Sequence, residues 1–403
     1  MEALEICSKE LKKQFPLLKN GAGIYLDSAA TTHKPLSVIA AESKFYSESY
    51  ATVNRSLYPK AQEATQEFYE ARRAVQGRIG ADSTNQVIFT KGATDSLNQV
   101  SQFLLQLTKP GDEILLSPLE HHANYLPFLA LEQKGLLKIR HLPIQADGKL
   151  DLEALLLIDL DRVKALSVAH VSNVTGVEQD LDRIGQLCKE RGWIFIVDAA
   201  QSIAHTIIDV QVSQIDFLAF SSHKMYGPTG VGVLYMHSRF FELLDPIVFG
   251  GDMIAQIGEK MVFQDPPLRF EAGTPPIAQV IGLKAALAFQ NTTPFQEAAQ
   301  SLKGLTQTYL ETLGSISGWN LISSLDASSI ITMTLSVAHP MDVALLLGNQ
   351  GIELRSGSLC ALPALKHFQA NAFLRLSLGV YNTIDEVERF SIAFEKTLLK
   401  LKS

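Results

Sequence analysis

The alternation of short β-rich runs and helical stretches between about residues 86 and 236 constrains the fold most. The β-rich runs are Val87–Thr90, Ile114–Ser117, Lys138–Leu142, Ala165–Val171, Ile194–Asp198, Phe217–Ser221 and Val231–Met236. Helical stretches fill most of the gaps, among them Thr94–Leu107, Asn124–Leu136, Leu152–Ile158 and Leu181–Arg191. Strand–helix alternation is typical of a largely parallel sheet that is covered by helices on both faces. The sequence therefore predicts an α/β fold.

The alternation ends in a stretch rich in proline and glycine at residues 250–276, which is followed by a helical pattern at Ile277–Phe289. We expect a large domain at residues 26–289. We also expect a smaller α+β domain that combines residues 1–25 with residues 290–403. In its first segment, an apolar spacing predicts one buried face of a short helix. The residues of that face are Leu4, Ile6, Cys7, Leu11 and Phe15.

Composition and charge exclude several classes of protein. The 403 residues are 46% hydrophobic, which suffices for a large core. The formal net charge of −7 disfavours nucleic acid or an anionic membrane as a partner. The chain has no run of about 18 apolar residues, and its first fifteen residues mix charged with apolar types, so we expect neither a membrane span nor a signal peptide. Three cysteines without a CxxC pair disfavour structural zinc and indicate the cytoplasm.

Common nucleotide and metal motifs are absent from the sequence. The segment Gly230-Val231-Gly232 lacks the third glycine of a dinucleotide fingerprint and precedes a strand, and no P-loop pattern occurs. The pair His121-His122 is not part of an HExxH motif, so we expect no metal site.

Polar residues that suit cofactor chemistry follow two of the apolar strands. Lys224 comes after the strand at Phe217–Ser221, and burial there would lower the pKa of its amine and suit it to Schiff-base chemistry. Asp198 ends the strand at Ile194–Asp198, where α/β proteins bind ligands. A carboxylate of this kind can keep the pyridine nitrogen of pyridoxal phosphate (PLP) protonated. Taken singly, Lys224 is also consistent with an ordinary surface lysine in a loop, and Asp198 with a helix N-cap.

Three further strand ends carry residues of a related kind. The segment Lys91–Ser96 opens a helix with the small residues Ala93 and Thr94, so its backbone N–H groups can approach a phosphate. His121 follows the predicted strand at Ile114–Ser117 and can stack on a planar ring. Asn173 follows the predicted strand at Ala165–Val171. Each has an ordinary structural explanation by itself, but their coincidence favours a cofactor site.

Together these segments resemble the class V aminotransferases of PLP fold-type I. More narrowly, they resemble Suf-type (group II) cysteine desulfurases, which include the related cysteine sulfinate desulfinases. The resemblance covers nearly the whole chain. The matching stretches are Tyr25–Ala30, Lys91–Asn98, Glu120–Asn124, His170–Gly176, Val197–Gln201, Phe220–Gly232, Arg269–Pro275, Leu354–Ala361 and Asn371–Asn382.

The resemblance implies a role for each matched residue. Lys224 would hold PLP, Asp198 would pair with its pyridine nitrogen, and His121 would stack on its ring. Arg375 would grip the carboxylate of L-cysteine, because a guanidinium binds a carboxylate with two hydrogen bonds. The other implied cofactor residues are Gln201 at the ring hydroxyl, Ala93, Thr94, Ser221 and His223 around the phosphate, and Asn173, which would also assist Arg375.

Cys360 occupies the position of the catalytic cysteine of that family. The neighbouring Arg355 and several small residues favour a partly exposed thiolate, and Arg355 is also a candidate substrate-binding residue. The resemblance implies that a persulfide on Cys360 passes to an acceptor protein of the SufE type and that the sulfur serves iron–sulfur cluster assembly. Thr274 would reach the phosphate of a second subunit, which implies a homodimer. Cys188 is expected to lie in the core, and Cys7 is expected to be a packing residue of the N-terminal helix.

Other functions stay open at this point. A selenocysteine lyase or a cysteine sulfinate desulfinase would use the same cofactor residues. A scaffold or regulator would need none of them, and a plain aminotransferase would not need Cys360. The chain also departs from the family pattern at Asn54, Phe249, Pro276 and Leu359.

Overall fold

The computed structural model describes residues 9–19 and 23–402. Its strands are β1 (Ile24–Tyr25), β2 (Val87–Thr90), β3 (Glu113–Leu116), β4 (Lys138–His141), β5 (Val163–Ala169), β6 (Ile194–Asp198), β7 (Phe217–Ser221), β8 (Gly232–Met236), β9 (Ile254–Ile257), β10 (Met261–Phe263), β11 (Trp319–Leu321), β12 (Ile330–Leu335), β13 (Ile352–Glu353), β14 (Arg355–Gly357) and β15 (Phe373–Ser377). Its helices are α1 (Leu36–Lys44), α2 (Pro59–Ile79), α3 (Ala93–Leu107), α4 (His122–Gln133), α5 (Leu152–Leu155), α6 (Leu181–Arg191), α7 (Ile277–Gln290), α8 (Thr293–Leu313), α9 (Pro340–Gly348), α10 (Leu362–His367) and α11 (Asp385–Lys402).

The central sheet has the strand order β2-β8-β7-β6-β5-β3-β4, and only β8 runs against the others. Alternate side chains of its strands enter two separate apolar clusters. In β6, for example, Phe195 and Val197 belong to one cluster and Ile196 to the other. The sheet is therefore covered on both faces, which explains why its strands are nearly continuous apolar runs. The prediction of a largely parallel α/β sheet is confirmed.

The C-terminal part of the chain contains an antiparallel sheet in the order β11-β12-β15-β14. Strand β1 pairs in parallel with β13, so the N-terminal segment joins this part of the molecule. Leu11 and Phe15 are buried, as their spacing predicts, whereas Leu4, Ile6 and Cys7 lie outside the described residues. The proposed domain boundaries at residues 25/26 and 289/290 stay a prediction.

Some elements differ from the sequence-based expectation. Helix α5 ends at Leu155 instead of Ile158, and the stretch at residues 250–276 contains the hairpin β9–β10. Helix α4 begins at His122, two residues early, because the His121 side chain caps it. Within residues 9–19 and 23–402, no helix is both long and apolar enough to span a membrane.

Candidate active site

A cavity of about 280 Å³ lies at the carboxyl ends of β5, β6 and β7. This edge of an open parallel sheet is where α/β proteins bind ligands. The structure brings together there all but one of the residues singled out from the sequence. The lining includes Ala93, Thr94, His121, Asn173, Asp198, Gln201, Ser221, His223, Lys224, Arg355, Cys360 and Arg375. Thr274 is exposed on a loop outside this cavity.

Lys224 ends a single 3₁₀ turn that directly follows β7, so its side chain enters the cavity from the end of a buried strand. Burial lowers the pKa of its amine, and the nearby Asp198 carboxylate offsets part of that shift. An amine whose pKa is lowered in this way loses its proton more easily and can then act as a nucleophile.

Asp198 is the last residue of β6 and is 4% exposed. One of its oxygens, Oδ1, accepts a hydrogen bond from the backbone N–H of Ala200 at 2.9 Å. Burial raises the pKa of the Asp198 carboxyl, while that hydrogen bond and the charge of Lys224 act in the opposite direction. The site therefore contains a buried carboxyl group that a cationic ligand nitrogen would stabilise in its charged form. Gln201, on the same loop, donates to the carbonyl oxygen of Ala29 at 2.9 Å.

The imidazole of His121 is held in one orientation by the helix that it caps. Its Nδ1 accepts a hydrogen bond from Ala123 N at 3.0 Å, so the hydrogen of the neutral ring is on Nε2. Burial, followed by the positive charge of Lys224, lowers the pKa of His121 to about 3. At neutral pH the ring is uncharged and planar, which suits stacking on an aromatic ligand.

A carboxyl group that sequence reasoning did not single out lies behind His121. Glu120 is 1% exposed, and its Oε2 accepts hydrogen bonds from Asn124 Nδ2 at 2.6 Å and from Ala169 N at 2.9 Å. Burial raises the pKa of Glu120 to about 8, and the charge of Asp198 adds to this effect. The signal in the sequence was its position three residues after the predicted strand at Ile114–Ser117.

The N-terminus of α3 forms the opposite end of the cavity. Ser221 Oγ accepts a hydrogen bond from Ala93 N at 2.7 Å, which joins the end of β7 to this helix. The backbones of Gly92 and Gly232 pack so closely that a Cβ on Gly232 would lie 2.4 Å from Gly92 Cα. The helix N-terminus therefore presents small residues and backbone donors, as a phosphate site requires.

His223 lies beside this helix end, and polar contacts with Thr31 and Lys34 fix its position. Its Nδ1 is 3.1 Å from Thr31 Oγ1, and its carbonyl oxygen accepts a hydrogen bond from Lys34 Nζ at 2.8 Å. Burial and the charge of Lys224 lower the pKa of His223 to about 4. Burial also lowers the pKa of Lys34 to about 8.

Two arginines line the side of the cavity that faces the C-terminal sheet. Arg375 is 2% exposed and donates from Nη1 to the carbonyl oxygen of Asn173 at 3.1 Å. Both Arg375 and Arg355 also bind Asp27, a residue that the sequence analysis quoted only within a matching stretch. Two buried polar atoms, Arg375 Nε and Asn173 Oδ1, have no hydrogen-bond partner in the described protein. Buried polar groups are nearly always paired, so these atoms point to a polar ligand.

The loop that carries Cys360 is short and fixed by hydrogen bonds on both sides. Asn173 Nδ2 donates to the carbonyl oxygen of Leu359 at 2.8 Å, and His122 N donates to that of Cys360 at 2.7 Å. The His122 ring also accepts from Leu362 N at 3.0 Å. Leu359 is buried in a small apolar cluster, whereas Cys360 is exposed. The loop therefore holds the Cys360 thiol at the cavity, and the buried side chain of Leu359 anchors the loop.

The exposure of Cys360 confirms the expected accessibility of this thiol, and Cys188 is 1% exposed, as expected for a core residue. Burial raises the pKa of Cys188, which keeps that thiol protonated. Cys7 lies outside the described residues. Within the described ranges, no group of three or more His, Cys, Asp or Glu residues is arranged to hold a metal ion.

The residues of the cavity fit PLP. A buried lysine amine and a buried carboxyl group lie beside a neutral imidazole, and a helix N-terminus free of large side chains faces them. The unpaired Arg375 Nε and Asn173 Oδ1 remain available for a carboxylate and an amine, the groups that an amino acid brings.

The chain belongs to the aminotransferase class-V family, whose profile matches residues 24–390. A probable cysteine desulfurase of Vibrio cholerae is 36% identical over 394 residues, which are 96% of this chain and 98% of that protein. The crystal structure of the cysteine desulfurase CsdA from Escherichia coli superposes with a TM-score of 0.90 at 36% identity and covers 98% of each chain. The apo structure of a cysteine desulfurase from Thermococcus onnurineus NA1 gives 0.92 at 34% identity, covering 97% of this chain and 98% of that one. The resemblance stated from the motifs is confirmed at the level of this family, and PLP is the cofactor of the family.

Proposed function

We propose that this protein is a PLP-dependent cysteine desulfurase, which converts L-cysteine to L-alanine and retains the sulfur as a persulfide on Cys360. The observation that carries the proposal is the position of the exposed Cys360 thiol in the same cavity as Lys224 and the buried Arg375. An aminotransferase needs the last two residues but not the thiol.

PLP would be held by residues that already line the cavity. Lys224 would bond to its aldehyde carbon, Asp198 would pair with its pyridine nitrogen, and His121 would stack on its ring. When bound, PLP withdraws electrons from the substrate Cα, which makes the Cα proton and the Cβ–S bond labile. The remaining contacts are proposed for Gln201 at the ring hydroxyl and for Ala93, Thr94, Ser221, His223 and Asn173.

The substrate would be oriented by its carboxylate. Arg375 offers the unpaired Nε, and Arg355 lies opposite on the neighbouring strand. Lys224 Nζ, whose pKa burial lowers, takes the proton from Cα and later returns it.

Cys360 then accepts the sulfur. Its thiolate attacks the sulfur atom of L-cysteine, an S–S bond forms, and the Cβ–S bond breaks with its electron pair left on the carbon. Cβ gains one proton and Cα regains the proton it lost, so one thiol and one L-cysteine become one persulfide and one L-alanine. No external oxidant is needed for this exchange.

The persulfide needs an acceptor, and we propose an acceptor protein of the SufE type for a Suf-type enzyme that serves iron–sulfur cluster assembly in the cytoplasm. The short, hydrogen-bonded loop around Cys360 supports this proposal, because a fixed loop cannot carry the sulfur far from the cavity.

A homodimer is also part of the proposal, with Thr274 reaching the phosphate site of the partner. Exposed apolar side chains in two segments of the chain support it, since exposed apolar groups are typical of interfaces. These side chains are Leu57, Tyr58, Val248, Phe249 and Ile257. The Arg55–Asp252 ion pair joins the two segments. A monomer in sedimentation equilibrium would contradict this assembly.

The central test is the replacement Cys360→Ser, with Cys188→Ala as the matched control at a buried cysteine. We expect Cys360→Ser to lower alanine formation from L-cysteine at least about 100-fold, because the hydroxyl is a far poorer nucleophile. Cys188→Ala should stay close to the wild-type rate. The absorbance of bound PLP checks that both variants retain the cofactor. Turnover by Cys360→Ser at the wild-type rate would refute the assignment.

A further inference from the structure

The backbone of the loop that carries Cys360 is strained. Leu359 and Cys360 both have a φ of 53°, in the left-handed region that disfavours residues with a Cβ. Neither residue is an asparagine or aspartate, whose short polar side chains make that conformation tolerable. Such a conformation persists only where the surrounding contacts determine it, and it is characteristic of functional sites. The contacts that hold this loop are therefore part of how the thiol is presented to the cavity.

His122 supplies two of those contacts. Its backbone N–H donates to the carbonyl oxygen of Cys360 at 2.7 Å, and its ring Nε2 accepts from the backbone N–H of Leu362 at 3.0 Å. A further contact comes from Asn173, whose Nδ2 donates to the carbonyl oxygen of Leu359 at 2.8 Å. His122 thus binds the loop both as a donor and as an acceptor, directly beside the thiol-bearing residue.

The acceptor role of His122 requires a neutral ring. Nε2 can accept only while its lone pair is free, so the hydrogen of the ring is on Nδ1. Burial lowers the pKa of His122, which keeps the ring neutral at neutral pH. The neighbouring His121 has the opposite arrangement, since its Nδ1 accepts from Ala123 N and the residue lines the cavity. The two histidines therefore serve different partners, His121 the cavity and His122 the loop.

Loss of the His122 ring would leave the rest of the site in place. The central sheet positions Lys224 and Asp198, and β15 positions Arg375, so these side chains do not depend on the bond to Leu362. A substrate could still bind and lose its Cα proton. What would change is the position of the Cys360 thiol, and a misplacement of about 1 Å can lower a rate about 100-fold.

We infer that His122 is a positioning residue for sulfur transfer, which holds the strained loop so that the Cys360 thiol stays at the cavity. It acts only in the step in which the Cys360 thiolate attacks the sulfur of L-cysteine. In that step the S–S bond forms and the Cβ–S bond breaks with its electron pair left on the carbon. The inference rests on the proposed function and deepens it, because it assigns a residue outside the cavity to one step of the reaction.

The first test removes and restores the acceptor for Leu362. His122→Ala removes it, and His122→Gln restores it, because the amide oxygen of glutamine reaches about as far as Nε2 and is an acceptor. The matched control is His339→Ala at the exposed start of α9, where Nδ1 accepts from Met341 N at 3.3 Å. We expect His122→Ala to lower kcat for alanine formation from L-cysteine about 10- to 100-fold. His122→Gln should stay within about threefold of the wild type, and His339→Ala should match it.

A second measurement isolates the steps that do not use the thiol. The PLP-loaded protein in D2O exchanges the Cα proton of L-alanine, and this exchange needs Lys224 but not Cys360 because L-alanine has no sulfur. We expect the exchange rate in His122→Ala to remain within about twofold of the wild type. A residue that merely supported the fold of the site would slow the exchange and the formation of alanine together.

Two outcomes would overturn the inference. One is wild-type alanine formation by His122→Ala, or an equal loss in His122→Gln. The other is a loss of Cα proton exchange by the same factor as the loss of alanine formation. If His122→Ala does not fold, His122→Asn takes its place, because its shorter amide cannot reach Leu362 N. Failure of the proposed function is a separate result, since the wild-type protein would then form no alanine from L-cysteine.

Discussion

At the scale of single residues, the site depends on ionisable groups whose pKa values burial has moved in opposite directions. Burial lowers the pKa of the Lys224 amine and of the His121 and His223 imidazoles, so these groups lose protons more easily than usual. Burial raises the pKa of the Asp198 and Glu120 carboxyl groups, which therefore hold their protons more firmly. The cavity can therefore hold a nucleophilic amine and neutral imidazoles at neutral pH.

Glu120 provides a pH-dependent prediction at this scale. Its pKa in the folded protein is about 8, above the usual value of 4.5, so the folded state binds an extra proton between these values. The contribution of Glu120 to the free energy of unfolding is therefore fully present below about pH 4.5 and is lost as the pH rises through about 8. Glu120→Gln mimics the protonated form and removes this dependence.

Urea unfolding of the wild type and Glu120→Gln at about pH 5 and about pH 8 tests this prediction. The wild type should lose on the order of a few kcal/mol more stability than the variant between these two pH values. Glu63→Gln, at an exposed position of α2, is the matched control and should follow the wild type. Equal pH dependence in the wild type and Glu120→Gln would contradict the buried, protonated carboxyl group.

The limits of sequence reasoning are also clearest at single residues. Lys224 and Asp198 were found because they stand at strand ends, and Cys360 was found because its loop resembles that of a known family. Asp27 was not assigned a role because its partner Arg375 lies 348 positions away, and only the register of β14 and β15 brings both arginines to it. His122 was weighed only as a metal ligand, whereas its ring fixes the loop of Cys360.

At the scale of elements, the strands of the central sheet were predictable because buried parallel strands are continuous apolar runs. β2, β6 and β7 begin and end at the predicted residues, and other strands differ by one or two positions. The reversed direction of β8 was not predictable, since direction depends on how the connection crosses the sheet. The β9–β10 hairpin was missed because its side chains are mostly exposed and carry no buried periodicity.

The contact between β8 and the start of α3 gives a prediction at this scale. Gly232→Ala would place a Cβ 2.4 Å from Gly92 Cα and 2.7 Å from the carbonyl oxygen of Phe220, and backbone atoms cannot move aside cheaply. We expect a loss of about 2 kcal/mol or more in the free energy of unfolding, together with weaker retention of PLP.

Gly77→Ala is the control for this substitution. Gly77 lies inside α2, and a Cβ there would meet nothing within 4 Å. Alanine should therefore stabilise the helix by about 0.5–1 kcal/mol. Thermal unfolding and the release of PLP on dialysis measure both effects. A Gly232→Ala protein as stable as the wild type would contradict the close packing at the helix N-terminus.

At the scale of the whole molecule, the cavity combines segments from both ends of the chain with the central sheet. The sheet supplies Lys224 and Asp198, whereas β14, β15 and the loop after β14 supply Arg355, Arg375 and Cys360. Strand order and periodicity predict the first group. The second group was placed by its resemblance to a family, because nothing local in residues 354–375 indicates that they meet the sheet.

The most direct test of the central claim is the intact mass of the purified protein after incubation with L-cysteine in the absence of a reductant. We expect a gain of one sulfur atom, located by peptide mapping on Cys360, with alanine formed in step. An unchanged mass in a protein that retains PLP on Lys224 would contradict the assignment and indicate a lyase or transaminase in which Cys360 takes no part.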